Sequence, residues 1–470
     1  MHERPNILVF QSDDHGQWAA EPYGNRELRN PALQELARTG TRLDRAFTTC
    51  PVCSPGRASF WTGKVPSAHG IHDFLASKHE KSAHHPGLQG QVTLAQQLQR
   101  AGYRTGLAGK WHCHHNERHH PGFDHWYGNC TGSGNGPHFG RLRFSHNGTL
   151  TDRFGYQTPM VTDAALDFLR QSGDGKPFFL YVGYTDTHAP FEKLPPRLVQ
   201  AYSRATFADV PEESPPAPYG VAWLRGGCKP VDPAGHRECL AQYYAGVTFM
   251  DEQVGRILDE LEAQGLRENT LIIYTADHGH MNGQHGLYGK GNATRPQNFF
   301  EISILIPCLM SWPNGGIPAD ASRREPVDLC DLYATLLEVA DAPPAEDGVA
   351  RPGRSVLPMI AADASDWRTW QCCEYGNARM IRTERHKLIR RSVGLEGRFP
   401  DELYDLADDP RETTNRIGDP TYRNVTRELD GQLQAYFQRY AIDCRDGRRV
   451  QEMPWHNPVE PWRDARGDPD

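Results

Sequence analysis

Cys53-Ser54-Pro55-Gly56-Arg57, followed by Ala58-Ser59-Phe60-Trp61-Thr62-Gly63, reads as the beginning of a helix. Pro55 suits a first helical turn, where its missing N–H would have no partner. Cys53 then stands beside free backbone N–H groups at the positive end of a helix dipole, with Arg57 one turn on. Such a setting favours a thiolate, or a polar group made from one, and it attracts anions. A buried cysteine on a packed helix is the plainer alternative. Cys50-Pro51-Val52-Cys53 overlaps the stretch with a thiol-redox or zinc spacing. Zinc would ask for a second cysteine pair at matching spacing, which the chain lacks, and a redox motif would not require Pro55 and Arg57.

Upstream, Pro5-Asn6-Ile7-Leu8-Val9-Phe10-Gln11 is a short apolar run, the pattern of a parallel strand buried on both faces. It delivers Ser12-Asp13-Asp14-His15-Gly16. Adjacent carboxylates repel and a divalent cation relieves the repulsion, while ligands of open α/β sheets lie beyond the carboxyl ends of strands. A helix cap or a solvated turn would explain this site taken singly. Downstream, Thr270 to Ala276 repeats the design and ends in Asp277-His278-Gly279-His280. Two such ends side by side would form a cation site from Asp13, Asp14, Asp277 and His278. Carboxylate oxygens favour calcium, with manganese or magnesium as the alternatives, and a histidine ligand admits manganese or zinc more readily.

Between these strands, Arg104 to Ala108 is strand-like and leads to Gly109-Lys110-Trp111-His112. A lysine and a histidine two apart on an extended segment point the same way and could clamp an oxyanion. A surface lysine and a polar core histidine are the alternative. The further histidines up to His120 have no strict ligand spacing and read as a loop. Pro177 to Tyr184 is another buried strand, ending in Thr185-Asp186-Thr187-His188-Ala189-Pro190-Phe191. Helices are expected over 30–40, 93–102, 159–170, 236–264, 327–340 and 421–440 from caps and apolar spacing. Residues 129–150, rich in Gly, Asn and Ser, read as a loop, and 211–235 as a proline-rich surface excursion. The pattern changes near residue 365 to short strand-like segments, and a tail from Met453 carries Trp455 and Trp462.

The 470 residues carry a net charge of −8, which argues against general affinity for nucleic acid. No apolar run is long enough to span a bilayer. Met1 is followed almost at once by a strand pattern, leaving no room for a signal peptide, so the expectation is a cytoplasmic protein with mostly reduced thiols. The two tail tryptophans should dock, either on their own domain or on a neighbouring subunit of a homo-oligomer.

Taken in order, Cys53-x-Pro55-x-Arg57 with Thr62-Gly63, the two strand-end acid pairs, Gly109-Lys110-Trp111-His112, His188-Ala189-Pro190-Phe191 and Lys290 resemble the type I sulfatases, within the alkaline phosphatase superfamily. Leu403-Tyr404-Asp405-Leu406 with Asp409-Pro410 resembles that family's C-terminal hallmark. The resemblance covers nearly the whole chain; the stretch from Gly291 to Asn298 looks a few residues longer than is common. It implies an α/β fold, a large mixed and mostly parallel sheet sandwiched by helices, over residues 1–365. A smaller subdomain with an antiparallel sheet, a helix and an extended tail would occupy 366–470. It implies oxidation of Cys53 to formylglycine by a maturation enzyme, and a divalent cation held by Asp13, Asp14, Asp277 and His278 with the group at position 53. Arg57, Lys110, His112, His188 and Lys290 would serve a sulfate ester whose alcohol is a sugar, an aryl group or a small metabolite. A phosphonate monoester hydrolase or phosphodiesterase, using the same aldehyde, is the near alternative. A non-catalytic or thiol-redox protein with unmodified Cys53 is the distant one.

Overall fold

The computed structural model describes residues 4–76, 79–132, 136–171, 175–211, 233–362, 364–392 and 399–463. The excursion expected at 211–235 lies almost wholly outside the described residues. The main sheet is built from β1 (Asn6–Ser12), β2 (Thr41–Leu43), β3 (Arg104–Gly109), β4 (His125–Asn129), β5 (Phe139–His146), β6 (Thr149–Tyr156), β7 (Phe178–Gly183), β8 (Thr270–Ala276), β9 (Cys308–Ser311) and β10 (Ala321–Arg323). Their spatial order is β10-β2-β9-β8-β1-β7-β3-β4-β5-β6. The central run from β8 to β4 is parallel, and antiparallel strands flank it.

The apolar runs behave as strands buried on both faces should. On β1, Ile7 and Val9 join one core, and Leu8 and Phe10 the other. The first core is covered by α2 (Cys53–Thr62), α3 (Leu94–Arg100) and α6 (Leu329–Val339); the second by α1 (Pro31–Arg38), α4 (Gln157–Arg170) and α5 (Pro233–Ala263). Capping is local and readable: Thr93 and Gln96 form a capping box at α3, and Asp328 with Asp331 does so at α6. Asp328 therefore caps that helix, whose first residue, Leu329, lies two residues later than the apolar pattern alone suggests.

The loop expected over 129–150 is corrected by the structure. Phe139 to His146 and Thr149 to Tyr156 form a hairpin with full register from Phe139 opposite Tyr156 to His146 opposite Thr149. Its turn is Asn147-Gly148, both at positive φ, a strong hairpin signal outweighed in the sequence reading by polar composition.

A separate four-stranded antiparallel sheet follows: β11 (Gln371–Tyr375), β12 (Ala378–Arg382), β13 (His386–Arg391) and β14 (Glu402–Asp405). Cys372, Ile381, Leu388 and Leu403 meet α7 (Arg423–Tyr440) on one face. Cys373, Tyr375, Met380 and Ile389 meet Phe47, Cys50 and Val52 on the other, so the small sheet backs the segment that leads into Cys53. The Glu374 N–H also donates to Thr49 O at 2.9 Å. The tail docks on its own chain. His456 O accepts from the Ala76 N–H at 2.9 Å, Asn457 donates to Phe74 O at 3.0 Å, and Trp462 sits edge-on to Tyr375. No helix among the described residues is long and apolar enough to cross a membrane.

Candidate active site

β1 and β8 are parallel neighbours in a register that sets Ser12 opposite Ala276. The next residues, Asp13 and Asp277, therefore leave the sheet side by side, and both are wholly buried. Asp14 turns the chain in the left-handed region, φ 53°, and its N–H donates to Asp277 Oδ1 at 3.3 Å. Thr187 donates its hydroxyl to Asp13 O. Tyr243, on the apolar stripe of α5, donates to Asp14 O at 2.9 Å and accepts from the Gly16 N–H at 3.1 Å. That stripe read only as core, and nothing in its spacing marks Tyr243 as the residue that fixes the turn.

Three buried cations answer the three carboxylates. Arg57, one turn into α2, donates from Nε to Asp277 Oδ2 at 2.8 Å and from Nη1 to the Tyr181 hydroxyl at 2.8 Å. The Tyr181 hydroxyl in turn donates to Gln11 Oε1 at 2.6 Å. Lys110 pairs with Asp13, and Lys290 with Asp14. Burial would push the Asp13 carboxyl up, but Lys110, His188, Lys290 and Arg57 together hold it well below the usual carboxylate range. Asp14 goes the same way: Lys290, His188 and His278 outweigh its burial. Asp277 moves up, because it is buried and stands beside the Asp13 charge.

Cys53 opens α2, as its sequence setting predicts, with Val52 as the N-cap. Its Sγ lies 3.0 Å from Lys290 Nζ and 3.2 Å from His278 Nε2. The buried turn after Lys290 is tied to the segment ahead of Cys53, since the Gly291 N–H donates to Pro51 O at 3.0 Å. His278 Nδ1 lies 2.8 Å from Gly279 O, so that nitrogen carries the proton and Nε2 turns its lone pair inward. Burial lowers the pKa of this imidazole despite the carboxylates around it. Nε2 is 3.2 Å from Asp14 Oδ1 and 3.4 Å from Asp277 Oδ1. Asp13 Oδ1 is buried without a hydrogen-bond donor. Ligand atoms of Asp13, Cys53, Asp277 and His278 all lie within 4.8 Å of one another. Oxygen donors, one inward lone pair and an orphaned carboxylate oxygen fit a divalent cation.

Lys110 and His112 do not share an extended segment. β3 ends at Gly109, and His112 has φ 54°, so the chain turns sharply between them. Gly109 has φ 103°, and a Cβ there would meet Gly183 O at 2.1 Å, so the strand ends at a position that only glycine fits. His112 is 1% exposed, and neither ring nitrogen has a hydrogen-bond partner. Burial and the nearby Lys110 charge hold its pKa well below the ordinary histidine value. His188 is half-buried at the end of β7, where its N–H closes a turn on Thr185 O at 3.0 Å. Two neighbours escaped the sequence reading. His138 Nε2 donates to His188 O at 2.9 Å, and His280 Nδ1 stands 3.4 Å from Asp14 Oδ2. Of the histidine tract, His119 and His120 bond backbone carbonyls within the loop, in keeping with a structural role.

Residues 5–342 match the family model described as sulfatase. The chain belongs to the sulfatase family. A second model, described as N-sulphoglucosamine sulphohydrolase, C-terminal, matches residues 283–439. Similar sulfatases include an ulvan-active sulfatase of Formosa agariphila, 28% identical, with 92% of this chain and 80% of the relative aligned. Another is an N-acetylglucosamine-6-O-sulfatase of Bacteroides thetaiotaomicron, 24% identical over 95% of this chain and 89% of the relative. Among solved structures, one in complex with its substrate D-glucosamine-2-N,6-O-disulfate superposes with a TM-score of 0.77 at 23% identity, covering 93% of this chain and 98% of the other. The phosphonate monoester hydrolase of Agrobacterium radiobacter shares the fold at a TM-score of 0.72 and 21% identity, over 92% and 95% of the chains.

Proposed function

We propose that the chain hydrolyses sulfate monoesters to an alcohol and sulfate, with Cys53 carried as formylglycine and a divalent cation, calcium by preference, held by Asp13, Asp14, Asp277 and His278. The observation that carries this reading is the convergence of Lys290 Nζ and His278 Nε2 on Cys53 Sγ, at the start of a helix and beside three buried carboxylates. The sulfur stands in for the oxygens of the hydrated aldehyde. That hydrate supplies a hydroxyl nucleophile and a second hydroxyl through which sulfate can leave. The cation supplies charge for the sulfate oxygens and acidity for the attacking hydroxyl.

The chain's own groups supply the rest. Lys290 neutralises Asp14 and donates to the atom at position 53. Arg57 holds Asp277 in place and balances the anionic site from behind. Lys110 and His188 stabilise the sulfuryl oxygens as the ester bond opens, a preorganised arrangement that needs no reorientation during reaction. His188 or Lys290 gives a proton to the departing alcohol oxygen. His112, neutral and with both ring nitrogens uncommitted, takes a proton at the position-53 hydroxyl. A sulfated sugar is the alcohol class most in keeping with the relatives named above.

The test is a panel of aryl esters sharing one leaving group, with mass spectrometry of the Cys53 peptide from the same preparation. The expected order of kcat/KM is sulfate monoester first, then phosphate diester and phosphonate, then phosphate monoester. A phosphonate or diester faster than the sulfate by about tenfold would move the chain to the phosphonate hydrolase class. Full activity on a peptide carrying only a free thiol would remove formylglycine from the mechanism.

A further inference from the structure

The β5–β6 hairpin runs outward from the active site. β5 is antiparallel to β4, so its first residue lies at the end of the sheet where the catalytic groups emerge. His138, immediately before it, holds His188 O at 2.9 Å. From Phe139, β5 and β6 extend together over roughly 20 Å, at about 3.3 Å per residue.

The two faces of the hairpin differ. Leu142 and Phe144 point into the core against α4 and α5. The opposite face carries Phe139, Arg141 and Arg143 on β5, set across from Tyr156, Phe154 and Asp152 on β6; farther along, Leu150 lies across from Ser145, which is buried and donates to Glu117 O. Phe154 is 74% and Leu150 49% exposed, and these are the exposed large hydrophobic side chains among the described residues. The Phe139 ring meets the Phe154 ring edge-on at 5.3 Å and the Tyr156 ring at 4.7 Å, making a short aromatic row at the end nearest the active site. Beyond it, Arg141 and Arg143 both bond Asp152, at 2.7 and 2.8 Å. Two guanidiniums on one carboxylate leave a surplus positive charge, on a chain whose net charge is −8.

We propose that this face is a docking platform for the neighbouring units of a sulfated polysaccharide whose terminal sulfate ester enters the active site. The proposal rests on the sulfate-ester reading of that site and adds that the substrate is polymeric. Aromatic faces offer apolar area to the C–H faces of sugar rings, and guanidinium forks match the oxygens of further sulfate groups. Continuity with the His188 turn, surplus positive charge and room for several sugar units together favour this occupant. A second copy of the chain pairing along the free edge of β6 is the rival occupant, and sedimentation of the Phe154 variant separates it.

The experiment uses the full chain with dextran sulfate as probe, unsulfated dextran as control, and turnover of a small aryl sulfate as reference. Phe154→Ala, and separately Arg141→Gln with Arg143→Gln, should each weaken dextran sulfate binding by about fivefold or more, the arginine pair also flattening its salt dependence. Turnover of the small aryl sulfate should stay within about twofold of the unaltered chain, because none of these side chains touches the reacting atoms. Unchanged dextran sulfate affinity in both variants overturns the platform. So does a Phe154→Ala variant that turns a dimer into a monomer in sedimentation while binding the probe as before; the face is then a self-interface. An unaltered, matured chain that splits neither aryl sulfates nor sulfated sugars defeats the hydrolase reading instead, and the platform is still judged by the binding comparison.

Discussion

Arg57 Nε donates to Asp277 Oδ2 at 2.8 Å, and both side chains are wholly withdrawn from solvent. The arginine belongs to the helix that carries Cys53, and the aspartate to the end of a central strand. Their contact ties the Cys53 helix to the sheet. Replacing Arg57 by Met leaves Asp277 buried beside Asp13 without its cation. The expected cost is about 3–5 kcal/mol, the usual penalty for breaking a buried pair from one side. A urea unfolding curve reads it directly, and an unchanged midpoint would show that Asp277 finds another partner.

His112 should separate catalysis from stability. Its ring nitrogens make no hydrogen bonds, so His112→Ala removes packing but breaks no polar network. We expect kcat to fall by about 10²–10⁴, the usual span for a general base. The thermal midpoint should move little beside that of the Arg57 variant. A kcat within about threefold of the unaltered enzyme would take the proton-transfer role away from His112.

Gly56 is fixed by contact rather than by backbone angle. A Cβ there would lie 2.6 Å from Asp277 O, a backbone atom that cannot swing aside. Gly56→Ala should therefore push α2 away from the strand end. The expected destabilisation is about 1–3 kcal/mol, as for other overpacked sites. Bound metal, measured by elemental analysis, should fall together with activity. A variant with full metal content and full turnover would mean that the helix can shift without cost.

The docked tail is expected to make stability depend on pH. Burial pushes the Asp73 carboxyl up to about 7, and Glu460 likewise to about 7. Both would titrate near 4 in the unfolded chain. Between those values the folded state holds more protons, so this stabilisation is complete below about pH 4 and is lost as the pH rises through about 7. Buried Asp186 and Asp251 shift the same way, whereas buried histidines such as His15, His69, His112 and His138 are depressed and favour the higher pH, so the carboxyl contribution is read from a single-site variant rather than from the whole chain. Asp73→Asn isolates one contribution. It should lower the unfolding free energy at pH 5.5, relative to that at pH 8, by an amount on the order of 1–3 kcal/mol. An unchanged difference would show that the Asp73 carboxyl stays ionised in the fold.

The chemistry of the site was legible because each reactive group sits on a locally patterned piece of chain. Asp13 and Asp14 end one apolar run, Asp277 and His278 end another, and Cys53 opens a helix with Pro55 and Arg57 at helical spacing. The order of these pieces along the chain was enough to name the family. The same local logic failed at residues 129–150, where polar composition hid a hairpin that Asn147-Gly148 and the alternation Arg141-Leu142-Arg143-Phe144 had signalled.

Sequence by itself determined which residue types meet in this protein and what kind of ion and anion they suit. Only the tertiary structure decided the partnerships: Lys110 with Asp13, Lys290 with Asp14, Arg57 with Asp277, Tyr243 beneath Asp14, and Asn457 of the tail with Phe74. A strand end is set by neighbours along the chain, through hydrophobic periodicity and turn chemistry. A buried ion pair is set by which strands lie side by side, and those strands are joined through contacts between residues hundreds of positions apart.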